Sequence, residues 1–202
     1  MKQFNGLAEA QEAAKAGGMK LPAGAYVCRI LGVKFQEGVN GNSDAIVIQF
    51  DIEEGEYKGF FKSQYETSTQ EDKKYKGKTS IYCPKDDGTE KDGWTKKSFG
   101  GWINALEASN TGYKWDWDEN KWKNKVLGIV FGETGTAIDG KAIIYTEARF
   151  GCDAQSVRDG KAPVAKFKEK EGYRDAVAAA TQSKGTDFMN VTASIEEELP
   201  WD

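Results

Sequence analysis

The sequence predicts a mainly β fold, a five-stranded antiparallel barrel with one helix between strands 3 and 4 and a short helix ahead of strand 1. Three observations predict it. Residues 44–53 alternate, with Ile46, Ile48, Phe50 and Ile52 on one side and Gln49, Asp51 and Glu53 on the other, the period of a half-buried strand. Other short β-rich runs are bounded by turn-forming residues. After the third of them, Phe99, Trp102, Ile103 and Leu106 recur at the i, i+3, i+4, i+7 spacing of a helix face.

Taken in order, residues 7–16 are rich in good helix formers and end at Gly17-Gly18, which predicts the leading helix. Residues 25–36 form strand 1, with Gly32 marking a bulge or sharp coil. The turn chemistry of residues 37–43 leads into strand 2 at 44–53, and Glu54-Gly55-Glu56 turns the chain into strand 3 at 57–62. Residues 63–93 are a polar, Lys-rich insertion, broken by the strand-like run 79–83 and stopped by Pro84. A helix follows over 95–109, weakened by Gly100 and Gly101, and then a Trp-rich loop at 113–124. Residues 126–131 form strand 4, 132–140 a turn, and 141–150 strand 5. Residues 151–172 read as basic coil, 173–182 as a short helix and 183–195 as a linker. Three strands, a helix and two strands is the order of an OB-fold barrel, which binds oligonucleotides on the face of strands 2–3 and through adjoining loops. A generic antiparallel sheet with one helix is the alternative. The expected organisation is a binding domain over 1–182 and a linker with an acidic tail over 183–202.

Composition narrows the function classes. The formal charge of −4 arises at one end: Glu196, Glu197, Glu198 and Asp202 supply four of the 32 acids, leaving 28 against 28 Lys+Arg in residues 1–195. A neutral body permits a local basic groove. No basic segment precedes an apolar run at the start, and no stretch approaches the ~18 apolar residues of a membrane span, so neither secretion nor a membrane is expected. Cys28, Cys83 and Cys152 are isolated and odd in number, which suits a reducing cytoplasm.

Two motif-like stretches are decoys. Residues 135–141 copy P-loop spacing, but Ala142 stands where a hydroxyl should hold magnesium and a strand is predicted where a helix must start. Residues 116–120 begin like a calcium loop, but Lys121 replaces its glycine and Leu127 its closing carboxylate. The chain has no His, and its three Cys form no recognisable zinc pairs. No enzyme activity, metal or cofactor is therefore expected.

What remains is aromatic residues interleaved with cations. The candidate nucleic-acid-binding residues are Arg29 and Lys34 on strand 1; Phe60, Lys62 and Tyr65 at the end of strand 3; and Tyr75, Lys76 and Lys78 in the insertion. Tyr145 and Arg149 on strand 5, with Arg158 and Lys161 beyond it, complete the set. Bases stack on aromatic faces for ~1–3 kcal/mol each while cations track phosphates, and neither contact requires a particular sequence. Alternation lets one of Phe60 and Phe61 face the groove. Trp115, Trp117 and Trp122 read either as packing at the barrel end or as a platform.

The last residues, Glu196, Glu197, Glu198, Leu199, Pro200, Trp201 and Asp202, place an apolar tip behind an acidic run, a combination that solubility alone does not require. This stretch resembles the partner-recruiting tail of single-stranded DNA-binding proteins. The resemblance runs from residues 21–27 through residues 50–60 and extends over the helix from Phe99 to Asn110, the strand before Gly132-Glu133, and Ser156 to Lys161 followed by Pro163. Over these parts the chain is similar to a phage-encoded family of OB-fold single-stranded DNA-binding proteins. The resemblance implies sequence-independent binding of single-stranded DNA in phage replication or recombination, in the host cytoplasm, with the tail recruiting partner enzymes. The Trp-rich loop and the 63–93 insertion have no counterpart in it. A carbohydrate-binding β-module and a protein-only adaptor are the alternatives, and self-association and the choice of DNA over RNA stay open.

Overall fold

The structure is a computed structural model and describes residues 20–181. The expected leading helix (7–16), the linker (183–195) and the acidic tail lie outside the described residues. The fold is mixed α/β and mostly β, with six strands in one sheet that is not closed into a barrel, and four helices among the described residues. None of those helices is long and apolar enough to cross a membrane. The described residues divide into two compact units, 20–132 with 148–165 and 133–147 with 166–181.

The first unit carries the sheet order β3-β2-β1-β4-β5. Its strands are β1 (Gly24–Gln36), β2 (Ala45–Ile52), β3 (Lys78–Tyr82) and the adjoining portions of β4 (Val126–Ile138) and β5 (Lys141–Cys152). β1 pairs antiparallel with both β2 and β4, and β2 with β3. The expected irregularity at Gly32 is a register shift between Ile30 and Gly32. Ile46, Ile48, Phe50 and Ile52 face the core, as their alternation requires, and meet Ile30, Leu127, Ile129 and Phe131 there.

Strand 3 is not where the sequence pattern put it. Residues 57–62 turn at Gly59, whose φ of +73° favours glycine, and enter helix α1 (Phe60–Thr67). Gly59 offers α1 no side-chain cap. Asp51 caps it from the neighbouring strand: Oδ1 accepts the amides of Ile52 and Phe61 at 2.8 and 3.0 Å, and Oδ2 accepts that of Lys62 at 2.9 Å. Asp51 is therefore 8% exposed rather than solvated like its alternation partner Gln49. The helix turns both Phe60 and Phe61 into the core, where their rings meet edge to face. The third strand is instead the 78–82 stretch within the insertion.

Helix α2 (Glu90–Ser109) begins five residues before the expected start at 95 because Thr89 caps it, its hydroxyl accepting the Asp92 amide at 3.1 Å. Trp102, Ala105 and Leu106 are buried, while Phe99 and Ile103 pack at the margin. Asn110 ties the helix end to β4, donating to the Leu106 and Val126 carbonyls and accepting the Val126 amide. A 3₁₀ turn (Glu119–Trp122) and a short helix α3 (Ala154–Arg158), the latter within what reads as coil, complete this unit.

The second unit holds the distal parts of β4 and β5, the two-residue strand β6 (Lys168–Glu169) and helix α4 over 173–181. β6 runs parallel to β4 through Thr134 and Gly135. The predicted turn at 132–140 is narrower than expected: β4 continues to Ile138, and Asp139 and Gly140, at φ +49° and +72°, make a two-residue hairpin. The P-loop-like spacing is thus strand and hairpin. Gly135 packs against the ring of Tyr173 so closely that a Cβ would lie 2.8 Å from it.

Candidate nucleic-acid interface

Strands β1–β3 show one side to the core and the other outward. Residues directly opposite in antiparallel strands share a side. Gly32, Gln49 and Lys78 therefore form one outward row, and Lys34, Val47 and Ser80 the next. The register shift at β1 sets a glycine opposite Gln49 and opens a cleft of about 440 Å³. Lys34, Lys74 and Lys78 line it with Tyr75, Val33 and Val47.

Tyr75 is held in place from behind. Its hydroxyl donates to the Phe50 carbonyl at 3.1 Å. Burial, reinforced by the Asp51 carboxylate, pushes its phenol well above the ordinary tyrosine range, so it stays neutral. The backbone beyond it is tight, since a Cβ on Gly77 would stand 2.3 Å from the Phe50 carbonyl oxygen. Tyr65, on α1, lies with its ring centroid 6.0 Å from that of Tyr75 at 57°, and the Lys73 ammonium sits 4.9 Å over its ring. Tyr65, Lys74 and Lys76 line a second hollow of about 570 Å³ with the polar chain at 67–70. Lys34, Lys74, Lys76 and Lys78 have no carboxylate within ion-pair distance among the described residues. Tyrosine faces with unpaired ammonium groups beside them can stack bases and neutralise phosphates.

The structure thus brings together Lys34, Tyr65, Tyr75, Lys76 and Lys78 from the sequence-predicted set. The others stand apart from them in role. Phe60 is buried against Phe61 and Tyr57 and has no face to offer, because it begins a helix rather than ending a strand. Lys62 is exposed on α1, 3.9 Å from Glu66. Arg29 clamps Glu53 through Nε and Nη2, at 3.0 and 3.2 Å, and donates from Nη1 to the Asn124 carbonyl. Arg158 makes the same two-pronged contact with Glu54, at 3.0 and 2.7 Å. Both guanidinium groups are engaged in the fold, and each holds its glutamate below the usual carboxylate range. Arg149 packs over Gly132, and Lys161 lies exposed 4.0 Å from Asp159. Tyr145 belongs to the second unit, with the Lys170 ammonium 5.4 Å over its ring.

The three loop tryptophans divide. Trp122 is fully buried, and Trp115 packs between it and Phe99 at centroid distances of 5.1 and 6.3 Å. Trp117, at φ +67°, is 82% exposed. The tail residues Glu196–Asp202 lie outside the described residues. Sequence reasoning missed Lys73, Lys74, Val33, Val47 and Gln49. The run 73–78, four lysines around Tyr75 and Gly77, carries a legible signal for the first two. The outward place of Gln49 in the alternation is a signal for the last, but nothing local says that a cleft lies above it.

No protein-family model matches the chain, and no curated protein matches it.

Proposed function

We propose that the chain is a sequence-tolerant single-stranded DNA-binding protein, of the kind phages encode for replication and recombination. One observation carries this reading: Lys34, Lys74 and Lys78 line a cleft with Tyr75 on the outward side of β1–β3, Lys74 and Lys76 line a second hollow with Asp72 and with Tyr65, whose ring meets that of Tyr75, and none of these lysines has a carboxylate within ion-pair distance among the described residues. The strand order β3-β2-β1-β4-β5, with α2 between the third and fourth strands, supports an OB-type arrangement short of its closing pair. In this reading the tyrosines stack unpaired bases, the lysines follow the phosphates, and the acidic tail recruits partner enzymes. The host cytoplasm is the compartment that goes with that role.

The test is anisotropy of a labelled oligothymidine beside a duplex of equal length, at two salt concentrations. The expected result is binding to the single strand alone that weakens as salt rises, because bound phosphates release counterions. Absence of binding to either nucleic acid, with fluorescence quenching by an oligosaccharide, would replace this reading with a carbohydrate-binding module.

A further inference from the structure

We infer that the cleft beside Tyr75 is a single-base subsite in which Gln49 holds the base by its Watson–Crick edge. The inference rests on reading this face as a single-strand interface. Gln49 stands outward on β2 between Gly32 on one neighbour and Lys78 on the other. Its amide makes no hydrogen bond among the described residues. Within the cleft it is the side chain able both to donate and to accept: Val33 and Val47 are apolar, the lysines donate only, and the Tyr75 hydroxyl is spent on Phe50. The bulge that brings Gly32 opposite leaves room above the amide, for a Cβ there would already touch its Oε1 at 3.5 Å.

This combination has a chemical consequence. An amide that turns over can face an amino group beside a ring acceptor, as in adenine and cytosine. It can equally face a carbonyl beside a ring N–H, as in thymine and guanine. Gln49 therefore bonds every base without preferring one. A duplex has already committed that edge to the opposite strand. The subsite is indifferent to sequence yet selective for unpaired bases, and it adds edge recognition to the selection that stacking makes through the base faces.

The experiment measures binding of the full chain to an oligothymidine and to the same oligomer carrying N3-methylthymine, which keeps the stacking face and the phosphates but blocks the edge. The wild-type chain should bind the methylated oligomer about 3- to 10-fold more weakly, the size of one net hydrogen bond. Gln49→Leu, of similar size and without polar atoms, should bind both equally and at the weaker level, and Gln49→Ala should do the same. Equal binding of both oligomers by the wild-type chain, with Tyr75→Ala weakening each, would overturn the subsite and leave the interface standing. No binding of oligothymidine by the wild-type chain would remove the interface and the subsite together.

Discussion

Asp51 does for α1 what a residue at the helix start does elsewhere. One buried carboxylate takes up three backbone amides, two of them in the first turn of the helix that carries Lys62 and Tyr65. Asp51→Ala would leave those donors without a partner in a buried setting, at a cost of about 1–3 kcal/mol for such a group. Urea denaturation should show that loss, with part of it recovered in Asp51→Asn, whose amide oxygen still accepts. Arg29 and Arg158 make the opposite case. Each is committed to a glutamate in a partly exposed pair of the sort worth up to ~1 kcal/mol. Arg29→Ala and Arg158→Ala should therefore lower stability slightly and leave single-strand affinity within about twofold of wild type. A tenfold loss of affinity in either variant would return that arginine to the interface.

At the scale of elements, the loop entering β3 is the part that converts a sheet face into a charged groove. It supplies Lys73, Lys74, Tyr75 and Lys76 and runs into Lys78 on the strand itself. The four lysines without carboxylate partners among the described residues should act through charge alone. Replacing Lys34, Lys74, Lys76 and Lys78 together by Gln should flatten the dependence of log affinity on log salt by about 0.7 for each phosphate no longer neutralised, close to 3 in all. Titrations across a salt series measure that slope. An unchanged slope would remove these lysines from the proposed interface. Tyr65→Ala should reduce affinity without altering the slope, because it removes a stacking face worth ~1–3 kcal/mol and no charge.

The whole molecule has a pH profile written into its ionisable groups. The chain contains no His, so no side chain of ordinary pKa titrates between about pH 5 and 8. Glu53, Glu54, Glu107 and Asp92 are each held below the usual carboxylate range, foremost by the hydrogen bond from Arg29, Arg158, Lys114 and Lys96 respectively. Their folded values lie below their unfolded ones. Their stabilisation is therefore complete above the ordinary carboxylate range near pH ~4 and is lost as the pH falls through the folded values. At the alkaline end, burial pushes Cys152 up to about 11 and Tyr26 up to about 12. These groups favour the fold while neutral, so their contribution holds below about pH 9, where the unfolded thiol starts to ionise, and fades above it. Thermal melts from pH 3 to 11 should give a plateau from about pH 5 to 9 with losses on both sides. A step in stability between pH 6 and 8 would contradict this account.

Local features were legible in the chain alone. The alternation of Ile46, Ile48, Phe50 and Ile52 set which side of β2 is core, Gly32 marked the bulge, and Asp139-Gly140 held the hairpin turn. The apolar spacing from Phe99 to Leu106 marked the long helix, because each of these signals rests on residues that are neighbours in the chain. Whatever depends on distant partners was settled only by folding. Tyr57 to Lys62 has the aromatic content of a strand, yet Asp51 captures its amides and makes it the start of a helix, so Phe60 is core. Arg29 and Arg158 look like free cations until folding brings them to glutamates, 24 residues away for Arg29 and 104 for Arg158. Gln49 gains a cleft only when β1 slips its register and Tyr75 docks on Phe50. Periodicity records which way a side chain points. What it meets there is set by contacts whose sequence separation leaves no local trace.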